Sequence, residues 1–138
     1  MEIGAKMKDQ AKYWIAVSEE DLASAKWLIR GNRFLHAAFF CHQVVEKALK
    51  AVIARDLPAD EMPPKIHNLI NLASAASLLD ELSDEQKLLL QRLNPLSSDT
   101  RYPDYDYDQG TLSIPKKEIC DRVIIEVEEF LCWIKRRL

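Results

Sequence analysis

The run Cys41-His42-Gln43-Val44-Val45-Glu46-Lys47-Ala48-Leu49-Lys50-Ala51 gathers a histidine, a carboxylate and two lysines within three turns of an expected helix. Gln43 and Lys47 lie one turn apart, as do His42 with Glu46 and Glu46 with Lys50, so a polar strip runs beside an apolar surface. Such side chains can shuttle a proton near neutral pH or meet a phosphate. The plain structural account is a solvated face, in which the favourable Glu46-Lys50 order contributes about 0.3–0.5 kcal/mol. Farther along stand His67, within Ile66-His67-Asn68-Leu69, and the segment Arg101-Tyr102-Pro103-Asp104. His67 is expected at a helix start, where local hydrogen bonding is its ordinary role. Arg101 is surrounded by Asp99, Asp104, Asp106 and Asp108, and its ordinary role is to pair with one of them and pin a loop. Asp104-x-Asp106-x-Asp108 has the start of a calcium-loop spacing, but Gln109 stands where that loop needs Gly and Pro115 where it needs Glu. No metal site is expected there.

The elements that position these residues follow from apolar periodicity. From about Lys8 to Arg30, Ala11, Ile15, Leu22, Ala25 and Ile29 recur at spacings of three, four or seven, the mark of an amphipathic helix. Gly31-Asn32 follows, with Gly31 expected to supply the left-handed cap. A second helix is expected from about Arg33 to Arg55, with Cys41, Val44, Val45, Ala48, Leu49 and Val52 forming a wide surface of small apolar residues. So short a turn makes the two helices antiparallel. Pro58, Pro63 and Pro64 mark a loop. A third helix is expected from His67 through Leu79, and a fourth from the capping box Ser83-Asp84-Glu85-Gln86 to about Leu93. The stretch from Asn94 to Pro115 has no helical period, and long unpatterned loops in compact domains are often functional. Pro115 is expected in the first turn of a last helix, which carries Ile119, Val123, Val127, Ile134 and Leu138 at helical spacing. Trp27, flanked by Lys26 and Arg30, is a candidate contact between copies of the chain.

The expectation is therefore an all-α protein: an antiparallel up-and-down bundle of four to five helices, with a long irregular loop before the last helix. The 138 residues read as one domain, 1–138, large enough to bury a core without disulfide or metal. A formal net charge of -3 argues against broad electrostatic attachment to nucleic acid or anionic membranes while leaving room for a local basic pocket. Cys41, Cys120 and Cys132 have no C-x-x-C spacing and read as reduced, buried residues. No segment approaches the roughly 20 apolar residues of a membrane span, and no signal peptide is evident, so a cytoplasmic location is expected.

Taken together and in order, Cys41-His42-Gln43-x-x-Glu46-Lys47-x-Leu49-Lys50-Ala51, then Ile66-His67-Asn68-Leu69, then Arg101-Tyr102-Pro103-Asp104 resemble the HEPN family over about Tyr13 to Trp133. The resemblance implies a helical bundle, a homodimer, and pairing with a minimal nucleotidyltransferase protein in a two-component, toxin–antitoxin-like system. It also implies nucleotide or RNA binding, with no cofactor; in one large group of the family it implies metal-independent ribonuclease activity through an Arg-x4-6-His dyad. That dyad is missing here, because four to six intervening residues after Arg101 lead to Asp106, Tyr107 and Asp108. Arg30 and His36 fit the spacing but straddle the expected turn between two helices.

Nucleotide binding asks for a cation facing phosphate and an aromatic ring stacked on a base. Lys47, His67, Arg101 and Tyr102 are the expected contacts, with Tyr105 a second candidate platform. The enzyme alternative pairs Arg101 with His67 as a divergent dyad, since the chemistry needs a cation for phosphate and a group that moves the 2′-hydroxyl proton. A third alternative is a non-catalytic protein-interaction module.

Overall fold

The computed structural model describes the backbone of residues 2–96, 105–106, 111–112 and 114–138, and the side chains of 9–96 and 114–138. Five α-helices make up most of it: α1 (Glu2–Arg30), α2 (Phe34–Asp56), α3 (Leu69–Ala75), α4 (Asp84–Leu93) and α5 (Lys117–Lys135). Short 3₁₀ turns lie at Leu79–Glu81 and Asn94–Leu96. A two-residue antiparallel ladder, β1 (Tyr105–Asp106) with β2 (Thr111–Leu112), lies in the segment between α4 and α5 and sets Tyr105 opposite Leu112. The all-helical bundle is as expected from the apolar periodicity.

α1 and α2 form an antiparallel hairpin with the largest interface in the molecule, and α5 packs against both. α3 and α4 close another side of α2. α2 is thus the central helix. Lys50, Ala51, Val52, Ile53 and Ala54 are buried in succession, a pattern possible only for a helix covered on most of its circumference. Its alanines and valines let α1 approach closely, while Leu69, Leu72, Leu90, Leu93, Phe130 and Ile134 fill the space on the other sides. Ser18 is buried in the α1–α2 interface, where its hydroxyl donates to the carbonyl of Val44 at 2.7 Å.

The turns differ from expectation in instructive ways. Between α1 and α2 the left-handed residue is Asn32, with φ 60°, and not Gly31. Asn32 N–H donates to Ile29 and Arg33 N–H to Leu28, the paired bonds of a Schellman cap in which the residue after the cap must be left-handed. The same device ends α3 four residues short of the expected Leu79. Ser77, with φ 59°, donates to Ser74 while Leu78 donates back to Ala73. Leu78 then buries its side chain, and the apolar run continues without continuing the helix. At the other end of α3, Asn68 and not His67 is the N-cap, accepting from Asn71 N–H at 3.0 Å. The capping box of α4 forms as read, with Ser83 and Gln86 each bonding the other's backbone. Pro115 lies just ahead of α5, whose N-cap is Lys116.

Among the three free cysteines, Cys41 and Cys120 are buried, but Cys132 on α5 is exposed, which corrects the expectation for that residue. No helix among the described residues is long and apolar enough to cross a membrane.

Candidate functional site

The polar strip of α2 faces inward. Glu46 has a side chain 1% exposed, and each of its oxygens is engaged. Oε2 lies 3.1 Å from Lys50 Nζ and 3.5 Å from Lys47 Nζ, and Oε1 accepts from the ring N–H of His67 Nδ1 at 3.0 Å. A buried carboxylate is tolerated only when paired and hydrogen-bonded, and Glu46 is both. Burial pushes its pKa up, but the His67 hydrogen bond and the charges of Lys47 and Lys50 outweigh that and hold it below the ordinary value.

His42, one turn before Glu46, is fully buried. Its Nε2–H donates to the main-chain carbonyl of His67 at 3.0 Å, since a carbonyl can only accept. Burial pushes the His42 pKa down to about 4, against the opposing pull of Glu46, so the ring is neutral near pH 7. Its Nδ1 consequently has no proton, finds no partner among the described residues, and lies 3.7 Å from Glu46 Oε1 as a polar contact and not an ion pair. His42 and Glu46 therefore hold one residue, His67, by its backbone and by its ring.

His67 enters from the connection between α2 and α3, where Pro63 is buried and Asn68 begins the next helix. Its side chain is 59% exposed even though its Nδ1 is anchored. Lys47 is 19% exposed and closely held: its ammonium donates to Gln43 Oε1 at 2.6 Å and neighbours Glu46. Asp21 on α1 lies in the same field. Burial raises its pKa, partly offset by Lys47 and reinforced by Glu20 and Glu46. Lys50 completes the group, with its ammonium 5.6 Å from the centre of the Trp14 ring.

Of the four expected contacts, the structure brings Lys47 and His67 together around Glu46. Arg101 and Tyr102 lie outside the described residues, as do Asp104 and Asp108. Glu46 and His42 organise the cluster although charges at i,i+4 on α2 have the pattern of a solvated face. The available signal was the crowding of that face. Cys41, Val44, Val45, Ala48, Leu49 and Ala51 leave too little circumference for a strip in water.

Concavities of the described residues lie elsewhere. A cleft of about 700 Å³ between α4 and α5 is lined by Glu81, Glu85, Glu126 and Glu129 with Arg136 as its one cation, a predominantly acidic lining that disfavours a phosphate. A mostly apolar groove of about 840 Å³ along α1 is lined by Ala11, Ile15 and Leu138 together with the charged Lys12, Glu19, Glu20, Arg55 and Lys135.

The fold matches the crystal structure of an archaeal HEPN homologue with a TM-score of 0.63, covering 93% of this chain and 97% of that one. The two are 22% identical, so the likeness is one of fold. No curated protein matches this chain. The family model for the HEPN domain matches residues 11–138, which takes in α2, His67, the Arg101-Tyr102-Pro103 segment and the last helix. The chain belongs to the HEPN domain family.

Proposed function

We propose that this protein is the nucleotide- or RNA-binding half of a two-component, toxin–antitoxin-like system, acting as a homodimer beside a minimal nucleotidyltransferase. One observation carries the reading: a largely exposed loop histidine, His67, is held by two fully buried polar side chains of the central helix. Burying a carboxylate and an imidazole is costly in folding terms, and sites of binding or catalysis are where such costs are retained. His67 with Lys47, and Arg101 with Tyr102 from the segment before α5, form the contact set. Arg101→Ala and His67→Ala should each weaken binding of a short RNA or of ATP while leaving the helical circular-dichroism signal intact. Unchanged affinity in both removes the site. Co-purification with the product of a neighbouring nucleotidyltransferase gene tests the partnership.

A second reading is a metal-independent ribonuclease in which Arg101 neutralises phosphate charge and His67 moves the 2′-hydroxyl proton. It is favoured by the bond from His67 Nδ1–H to Glu46, the arrangement by which a carboxylate orients a histidine for proton transfer. Incubation with structured RNA in EDTA decides between the readings. Absence of cleavage, or cleavage unchanged in His67→Ala, eliminates the enzyme.

A further inference from the structure

We infer that Arg92 and Arg122, at the seam between the end of α4 and the start of α5, hold successive phosphates of a bound single-stranded RNA whose intervening base enters the apolar hollow beside them. This rests on the reading that the protein binds nucleotide or RNA, and it adds to that reading a site built from residues outside its contact set.

The hollow has a volume of about 350 Å³ and is lined by Arg92, Leu93, Leu96, Ile119, Arg122 and Val123. Leu93 is fully buried, Leu96 and Val123 are partly buried against the core, and Ile119 is 47% exposed. The volume is at the small end of ligand pockets, which suits one nucleotide unit. It is too small for the core of a protein interface, which draws some 20–30 residues from each side. An apolar wall open to water is covered well by the flat face of a base, and a base can enter only when it is unpaired.

The polar side chains of the lining are both arginines, whose planar forks match phosphate oxygens. Arg122 is exposed and has no ion pair among the described residues. Arg92 reaches Glu126 only at 3.9 Å with its side chain 49% exposed, a pair of little strength. The N-cap Lys116 adds a third cation at this corner, Lys117 is paired with Asp121 at 2.7 Å, and Glu118 is the carboxylate of the first turn of α5. In a chain of net charge -3 this is a local excess of positive charge. The acidic cleft lies toward the other end of the same two helices. A polyanion meeting the α4–α5 seam is therefore repelled at one end and drawn to the arginines at the other.

One hydrogen bond ties this corner to the His67 segment. Asn94, two residues beyond Arg92, accepts from the backbone N–H of Leu69 at 2.7 Å, and Leu69 stands two residues beyond His67. The end of α4 is thereby fixed to the start of α3, and a strand that touches His67 meets the Asn94–Leu96 turn and then the two arginines as it runs on.

Salt dependence tests the assignment, because each phosphate contact to a single strand contributes about 0.7 to the slope of log affinity against log salt. A short mixed-sequence single-stranded RNA should bind the double variant Arg92→Gln/Arg122→Gln more weakly than wild type, with a slope shallower by about 1.4. The wild-type advantage should then shrink about sevenfold between 50 and 200 mM salt. Each single variant should give about half the change in slope. Arg136→Gln, in the acidic cleft, should change nothing, and the circular-dichroism signal should be the same in all four variants. RNA binding with wild-type affinity and slope in the double variant overturns the site and leaves the RNA reading standing. Weaker binding with an unchanged slope overturns the phosphate contacts. Unchanged RNA binding together with loss of a co-purifying nucleotidyltransferase assigns the arginines to an acidic segment of that partner and overturns the inference. Absence of RNA binding by the wild-type protein overturns the reading and the site together.

Discussion

Glu46 and Lys50, one turn apart on α2, form an ion pair at 3.1 Å whose side chains are 1% and 8% exposed. The geometry is the same as that of a surface i,i+4 pair, but the energetics are not, because removal of one partner strands the other in a low-dielectric interior. Glu46→Ala should destabilise the protein by about 3–5 kcal/mol, measured by urea unfolding at neutral pH. Glu46→Gln, which keeps an acceptor for His67, should cost less. A cost under about 1 kcal/mol for the alanine variant, the range of an exposed pair, would contradict the burial described here.

Acid should weaken the fold through His42. The unfolded chain takes up a proton at the ordinary histidine pKa of 6.5, while the buried ring resists until about 4. Between those values the unfolded state binds more protons, so stability falls as the pH falls, by roughly 3 kcal/mol across the window. Glu46 adds in the same direction, since its depressed pKa gives stability that is present above the ordinary glutamate value and lost below it. Thermal unfolding between pH 7 and 4 should show the decline, and His42→Gln should flatten it. A flat wild-type profile would mean that His42 is protonated in the folded protein.

Ser77 should respond to glycine, and Gly31 should not need to be one. Ser77→Gly relieves a left-handed non-glycine residue and should raise stability by up to about 1 kcal/mol. Gly31→Ala should be tolerated or mildly stabilising, because an added Cβ would meet only the carbonyl oxygens of Leu28 and Trp27, at 3.7 Å. Melting temperatures of the two variants check both.

The thiols should separate by rate. Cys132 is exposed and should react promptly with a thiol reagent, whereas Cys41, whose pKa burial pushes up to about 12, and buried Cys120 should be protected until the protein unfolds. Titration of native and denatured protein reads this directly. Rapid native modification of all three would require local opening of the α2–α5 interface.

Much of this was legible in the amino acids. Helical period placed α1, α2, α4 and α5, and the Ser83-Gln86 box marked its helix start because both of its bonds are local. Local chemistry is also where structure and sequence pattern part. Glycine after a helix suggested Gly31 as the left-handed cap, yet Asn32 took that conformation because the Schellman bonds fix the position and not the residue type. The apolar series through Leu79 was consistent with helix, and only the turn at Ser77 converts its last members into packing under a 3₁₀ turn. The site was half visible. Lys47 and His67 could be named from residue type, but the inward tilt of Glu46 and His42 depends on how α1, α3 and α5 surround α2, which periodicity along one helix does not report.

The grip of α2 on His67 also sets what the neighbouring connection is free to do. Because the histidine is located by the phase of a buried helix, its place is set by His42 and Glu46 and not by the length of residues 57–62. Lengthening that stretch by a few residues should leave the imidazole at the same address. Moving His42 and Glu46 by a single step along α2 would turn both away from it, so the count of residues along the helix is what the site depends on.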